Sequence, residues 1–227
     1  MPRGRAGLAL PQPLEGSSKS FITRRRLIGS AAALGAAALP ALAQARLAPT
    51  PSATAGPFYP QSFPLDSDSD LVQVAGHDGR ARGQIAYLAG KLVNPDGKPI
   101  AGAQVEIWQC DAGGIYHHVG SASRGGDPNF QGYGKTLTAA DGAFRFRTIK
   151  PVPYPGRTPH IHVIVAGQGL PKLTTQLYNA GEPRNERDFL YRAIAPVARD
   201  SVTMRWRTAP ELEAGALVAE PQLVLEV

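Results

Sequence analysis

Apolar runs of strand length, separated by glycine- and proline-rich turns, constrain this 227-residue chain to a β architecture. The runs are Gln84 to Val93, Gln104 to Gln109, Ala143 to Ile149, His160 to Ala166, Leu173 to Tyr178, Val202 to Arg207 and Gln222 to Val227. Phe144 and Phe146 alternate with Arg145 and Arg147, the period of two expected of a strand with one buried face. Glycine (25) and proline (21) make up about a fifth of the chain, and Asn94-Pro95-Asp96-Gly97 and Ala140-Asp141-Gly142 supply turn chemistry between runs. Only Asn185 to Ala193 reads as a short helix, with Asn185 its expected N-cap. The expected fold class is all-β, a two-sheet, barrel-like β-sandwich with long loops. An extended Pro/Ser/Asp-rich arm from Arg46 to Arg82 precedes the domain at 83–227.

The net charge of +6 does not point to nucleic acid. Residues 1–45 carry six of the 24 basic and one of the 18 acidic side chains, so the remainder is nearly balanced, 18 against 17. That leading segment is expected to be a twin-arginine signal: Thr23-Arg24-Arg25-Arg26-Leu27-Ile28 precedes an Ala-rich stretch, with small-residue cleavage sites after Ala43 or Ala45. The stretch is too short and too alanine-rich for a membrane span, so the mature protein is expected to be exported, periplasmic or extracellular, with no span. Cys110 is the single cysteine, which excludes an internal disulfide; beside Trp108 in an apolar run it reads as an inert buried thiol.

The chemistry concentrates between Pro151 and Val163, PVPYPGRTPHIHV, where Tyr154, Arg157, His160 and His162 fall within nine residues. On a strand His160 and His162 point to one face, so both imidazoles reach one point. An isolated pair of this kind is usually a satisfied strand pair; the tyrosines around it weigh the other way. Tyr116, after the turn Gly113-Gly114, is a second phenol, and Tyr154 is stiffened between two prolines. A phenol ionises near pH ~10 and becomes a ligand only where a strongly Lewis-acidic ion takes its proton. Two phenolates with two imidazoles favour a hard trivalent ion, of which ferric iron is the common one. His77, His117 and His118 are not assigned to the metal.

The runs WQCDAGGIYHH and TIKPVPYPGRTPHIHV, followed by LTTQLY and preceded by TPSATAGPFYP, resemble the intradiol ring-cleavage dioxygenases, most of all the iron-bearing chain of the protocatechuate 3,4-dioxygenase type. The resemblance runs from about Thr50 to Asn179. It implies non-haem Fe(III) held by Tyr116, Tyr154, His160 and His162, with Tyr116 equatorial and Tyr154 axial. It also implies a catecholic substrate cleaved with O2 to a cis,cis-muconate. Arg157 matches the family arginine that stabilises charge on the catecholate, and Gln176 a glutamine near the substrate ring. Gly56-Pro57-Phe58-Tyr59 matches a segment that approaches the site, and makes Tyr59 a candidate pocket residue.

Two departures from the family pattern bear on the substrate. Only Pro155 and Gly156 separate Tyr154 from Arg157, a shorter loop than in the familiar enzymes, which implies a more open site. The long helical N-terminal dimerisation segment of catechol 1,2-dioxygenases is not seen, which weakens the catechol reading without excluding it, and a catechol/hydroxyquinol-type intradiol dioxygenase is the alternative. All four ligands lie on this chain, so a second chain type is not required and a homo-oligomer is left open. The rival class is a non-catalytic, prealbumin-like β-sandwich binding module, which explains residues 90–154 but not Arg157, His160 and His162. A zinc hydrolase would need a carboxylate base near the histidines, and no HExxH or similar pattern supplies one.

Overall fold

The computed structural model describes residues 45–120 and 125–227. The expected signal segment therefore lies outside the described residues, apart from Ala45. Ten strands follow in chain order: β1 (Ile85–Val93), β2 (Gln104–Trp108), β3 (Tyr133–Leu137), β4 (Ala143–Ile149), β5 (His160–Gly167), β6 (Leu170–Asn179), β7 (Thr203–Met204), β8 (Arg207–Thr208), β9 (Leu217–Ala219) and β10 (Gln222–Val224). The described residues form two five-stranded sheets. In one, β1 is flanked by antiparallel β4 on one edge and by parallel β9 and β10 on the other, with β8 beyond β9. The other runs β3-β2-β5-β6-β7. The architecture is the all-β, two-sheet sandwich that the strand pattern implies. Among the described residues no helix is long and apolar enough to cross a membrane.

The core is the alternation of the strands made solid. Leu88 and Leu92 of β1, Val105 and Ile107 of β2, Phe144 and Phe146 of β4, and Ile161, Val163 and Val165 of β5 interleave in one cluster. On β4 the intervening arginines stay out of it: Arg145 is exposed, and Arg147 pairs with Asp70 at 3.0 Å and Glu213 at 2.8 Å.

The arm is sewn onto this sandwich. Thr50 exchanges hydrogen bonds with Val224, its amide donating to the Val224 carbonyl and its hydroxyl accepting from the Val224 amide. The Ala53 amide donates to the Thr174 carbonyl at 2.7 Å, and Leu71 and Val72 enter the core fully buried. This crossing explains β3, a strand absent from the sequence expectation. Tyr133-Gly134-Lys135 has weak strand propensity, but a Cβ at Gly134 would lie 2.4 Å from the Asp68 carbonyl oxygen. The arm passes so close that only glycine fits there.

Three expectations need correction. The helix over Asn185 to Ala193 is two pieces: a 3₁₀ helix, Pro183–Arg187, and a single α-turn, α1 (Phe189–Ala193). Its N-cap is Asp188 rather than Asn185; Asn185 is buried and accepts a hydrogen bond from the Thr158 hydroxyl at 2.7 Å. The run Val202 to Arg207 is broken, because β7 joins one sheet beside β6 and β8 the other beside β9. The short strand β9, Leu217–Ala219, was also not expected.

Phe146 is fully buried at the centre of this packing. Phe146→Ala should lower unfolding free energy by about 3–5 kcal/mol, seen as a lower denaturant midpoint at an unchanged slope in urea titration.

Candidate active site

The register of three strands assembles the site. Across the antiparallel sheet Trp108 of β2, His162 of β5 and Gln176 of β6 stand directly opposite one another, as do His160 and Tyr178. Opposed residues share a face, so these five side chains stand on the face opposite Ile161 and Leu177, with Tyr178 still packed into the cluster that holds those two. His160 and His162 are 2% and 1% exposed, and their Nε2 atoms face each other at 3.1 Å. The Trp108 ring stacks on His162 at 4.6 Å and 8°.

The tyrosines arrive on loops. Tyr116 is 4% exposed, its hydroxyl 3.4 Å from His160 Nε2 and its ring stacked under Phe58 of the arm at 4.5 Å. Tyr154 meets Tyr116 edge-on at 5.3 Å and His160 at 5.6 Å. Its position is set by a four-residue turn: the Arg157 amide donates to the Tyr154 carbonyl at 3.0 Å, with Gly156 at φ 81°. A turn with positive φ at its third residue needs glycine there, and proline suits the second position. The short Pro155-Gly156 link thus places the Arg157 Nη1 3.3 Å from the Tyr154 hydroxyl.

Arg157 is held from two further sides. Its Nε donates to Asp188 Oδ2 at 2.7 Å, and its Nη2 to Gln176 Oε1 at 2.6 Å. The same Gln176 accepts from the Tyr178 hydroxyl at 3.1 Å, and its amide nitrogen donates to the Thr54 carbonyl of the arm at 3.0 Å. Asp188 escaped the sequence reading, as it lies 31 residues from Arg157 in a segment read as helix interior. Its one available signal was position: Asp is a favoured N-cap. Here it caps α1 through the Leu190 and Tyr191 amides, accepts the Thr158 amide and pairs with Arg157.

The electrostatics favour neutral donors around a cation. Burial, with Arg157 second, pushes His160 down to about 4, and burial, His160 and Arg157 hold His162 well below the usual imidazole value. His160 Nδ1 lies 2.6 Å from the Thr158 carbonyl, which can only accept, so the proton sits on Nδ1 and Nε2 presents a bare lone pair. Burial raises both phenols; at Tyr154 the Arg157 guanidinium opposes that rise. Burial alone would raise the Asp188 carboxyl, but hydrogen bonds from Arg157, Thr158 and Tyr191 outweigh it and hold it below the usual range. His162 Nδ1 and Trp108 Nε1 are buried with no hydrogen-bond partner among the described residues.

A hard cation fits this donor set. Two imidazole nitrogens 3.1 Å apart are close enough for a positive centre to take the place of a proton between them, and two buried phenols beside them supply oxygens that such a centre would ionise. Among the described residues no three His, Cys, Asp or Glu side chains gather that could hold a metal ion.

The remaining candidates lie apart. Tyr59 sits one layer out, against Trp108 at 4.9 Å, and donates to Glu106 at 2.8 Å. The Cys110 thiol, pushed up to about 12 by burial and then by Asp111, points to the Val152 carbonyl and stays protonated. His77 is exposed; His117 contacts Asp111 at 3.3 Å and His118 the Gln131 carbonyl at 2.9 Å, and all three line a separate cavity of about 630 Å³.

Known proteins share both the sequence and the fold. The profile of the family described as Dioxygenase matches residues 54–213. The protocatechuate 3,4-dioxygenase beta chain of Burkholderia cepacia is 35% identical over 167 residues, which are 70% of this chain and 71% of that one. The catechol 1,2-dioxygenase of Candida albicans is 32% identical over 63% of this chain, which spans about half (51%) of that relative's length. The dioxygenase domain of a dioxygenase–carbohydrate-binding protein fusion from Streptomyces sp. SirexAA-E superposes with a TM-score of 0.62 at 34% identity, covering 79% of this chain and 99% of that domain. Since the family match takes in part of the arm, the donor cluster and most strands of both sheets, the chain belongs to the intradiol ring-cleavage dioxygenase family.

Proposed function

We propose that this chain is a non-haem iron(III) intradiol dioxygenase that opens a protocatechuate-like catechol ring with O2 to a cis,cis-muconate. The observation that carries the reading is the convergence of Tyr116, Tyr154, His160 and His162 in one buried cluster with Arg157 at its edge. Iron(III) held by those four side chains would supply the Lewis acidity that takes up a catechol as its dianion and readies the ring for O2.

The chain's own residues divide the remaining work. Tyr116 is sealed under Phe58, whereas Tyr154 is half-buried and lines a cavity, so Tyr154, once ionised by the bound ion, would be the phenolate placed to accept a proton from an incoming diol. Arg157 directs Nη1 at the Tyr154 oxygen, the point where an incoming diol would develop negative charge, and a guanidinium fixed beforehand costs no reorganisation there. Gln176 and Asp188 are positioning residues that act through Arg157. Phe58 and Trp108 cover the inner side of the donors with aromatic surface and keep water from it. Catechol and hydroxyquinol remain the alternative substrates of the same chemistry. The Arg24-Arg25 pair supports export of the folded protein by the twin-arginine route, to the periplasm or beyond.

Iron-loaded protein should be red-brown from tyrosinate-to-iron(III) charge transfer, the band should move to longer wavelength on anaerobic addition of protocatechuate, and oxygen uptake should follow admission of air. His160→Ala should abolish iron binding. A colourless protein at full iron loading removes Tyr116 and Tyr154 as ligands and sinks the proposal. Asp188→Asn should keep its iron yet lose about 10- to 100-fold in kcat/KM, together with about 3–5 kcal/mol of unfolding free energy for the disrupted buried pair; an unchanged kcat/KM would show that Arg157 does not depend on Asp188. Replacing Arg24 and Arg25 by lysine should leave the protein in the cytoplasmic fraction on cell fractionation.

A further inference from the structure

A cavity of about 260 Å³ opens directly beside the donor cluster, walled by Tyr154, Gly156, Arg157, Arg184, Arg187 and Asp188 among others. It is smaller than the roughly 300–1,000 Å³ of a complete ligand pocket, the size of a subsite. Three arginines line it against one acidic residue, and that residue's carboxylate is spent. Asp188 already accepts from Arg157, from the Thr158 amide and from two amides of α1.

The chain places the two outer arginines deliberately close. Pro183–Arg187 is a 3₁₀ helix, in which side chains three residues apart eclipse, so Arg184 and Arg187 fall on one side. Glu182 caps its start and Asp188 its end, and Asp188 is the partner of Arg157, which ties this helix to the site. Arg184 pairs with Glu182 at 3.1 Å and is 60% exposed; Glu186 faces away, toward Arg199 at 3.7 Å. Arg187 is exposed and has no side-chain partner among the described residues. A positive charge left over at the mouth of a site that takes aromatic diols is suited to a planar anion, which guanidinium groups bind through paired N–H donors.

We propose that this cavity is a subsite for an acidic substituent of the substrate, a carboxylate on the catechol ring or on a short side chain, held by Arg187 with Arg184. The subsite rests on the intradiol reading above and narrows its substrate class to acidic catechols. Neutral catechols leave it unfilled.

The test uses the full iron-loaded protein, with Arg187→Gln, Arg184→Gln and the double variant, assayed on protocatechuate and on catechol. The ratio of kcat/KM for protocatechuate to that for catechol should fall about tenfold in Arg187→Gln and about a hundredfold in the double variant, mainly through KM. Anaerobic calorimetric titration with protocatechuate should show the same loss of affinity, and the native preference should shrink as salt is raised. Melting temperatures taken alongside guard against a folding artefact, and Arg187→Lys should restore part of the ratio. An unchanged ratio in the double variant, or equal losses on both substrates, overturns the subsite and leaves the dioxygenase reading standing. A native protein that cleaves catechol but neither binds nor cleaves protocatechuate does the same. Turnover of neither substrate overturns the dioxygenase reading and the subsite with it.

Discussion

The ion pair between Arg157 and Asp188 is the contact on which the site's geometry hangs. Both side chains are withdrawn from water, at 10% and 0% exposure, so neither charge is tolerable without the other. Around this pair four separate pieces of chain are fixed: the Pro155-Gly156 turn that carries Tyr154, strand β6 through Gln176, the 3₁₀ helix with α1, and the arm through Thr54. Apart from β6, each piece alone is a short, weakly structured segment. Their common anchor gives Arg157 one orientation, and a guanidinium with one orientation is the kind of group that stabilises charge at a fixed point.

The sheet contributes rigidity of a different sort. His160 and His162 owe their shared face to the two-residue period of β5, and their setting to neighbours chosen by register: Trp108 on one side, Gln176 and Tyr178 on the other. A slip of one residue would turn the imidazoles into the core and Ile161 and Val163 out of it. The apolar face therefore guards the chemistry, since the cost of exposing those aliphatic side chains is what holds the histidines in place.

Much of this was legible in the sequence because it is periodic or local. The alternation Phe144-Arg145-Phe146-Arg147 gives β4 its limits, and His160-Ile161-His162 gives a shared face without any knowledge of the partner strands. The cluster of Tyr116, Tyr154, His160 and His162 was reached by the types of residue present together with a family resemblance, not by periodicity. What escaped leaves little local trace. Asp188 matters through a partner 31 residues away, and a buried acid reads in sequence like any solvated one. The stretch 185–193 has helical composition, yet Asp188 caps a new turn there because its carboxylate is claimed by Arg157 and Thr158. Strand β3 was hidden by Gly134, whose meaning lies in the arm above it, and the run 202–207 was divided by a change of sheet that no run of apolar residues announces.

The arm's fastening to the last strand has a consequence for how the molecule comes into being. Thr50 is clasped by Val224, 174 residues later, and only four positions beyond Thr50 the carbonyl of Thr54 receives Gln176. Contacts of such separation form slowly, since a long loop must close before they return any free energy. During synthesis the arm emerges long before the strand that clasps it, so Thr50 stays unfastened until the chain through Val224 has left the ribosome. The arm, and with it Phe58 over Tyr116, is thereby fastened to the sandwich only late.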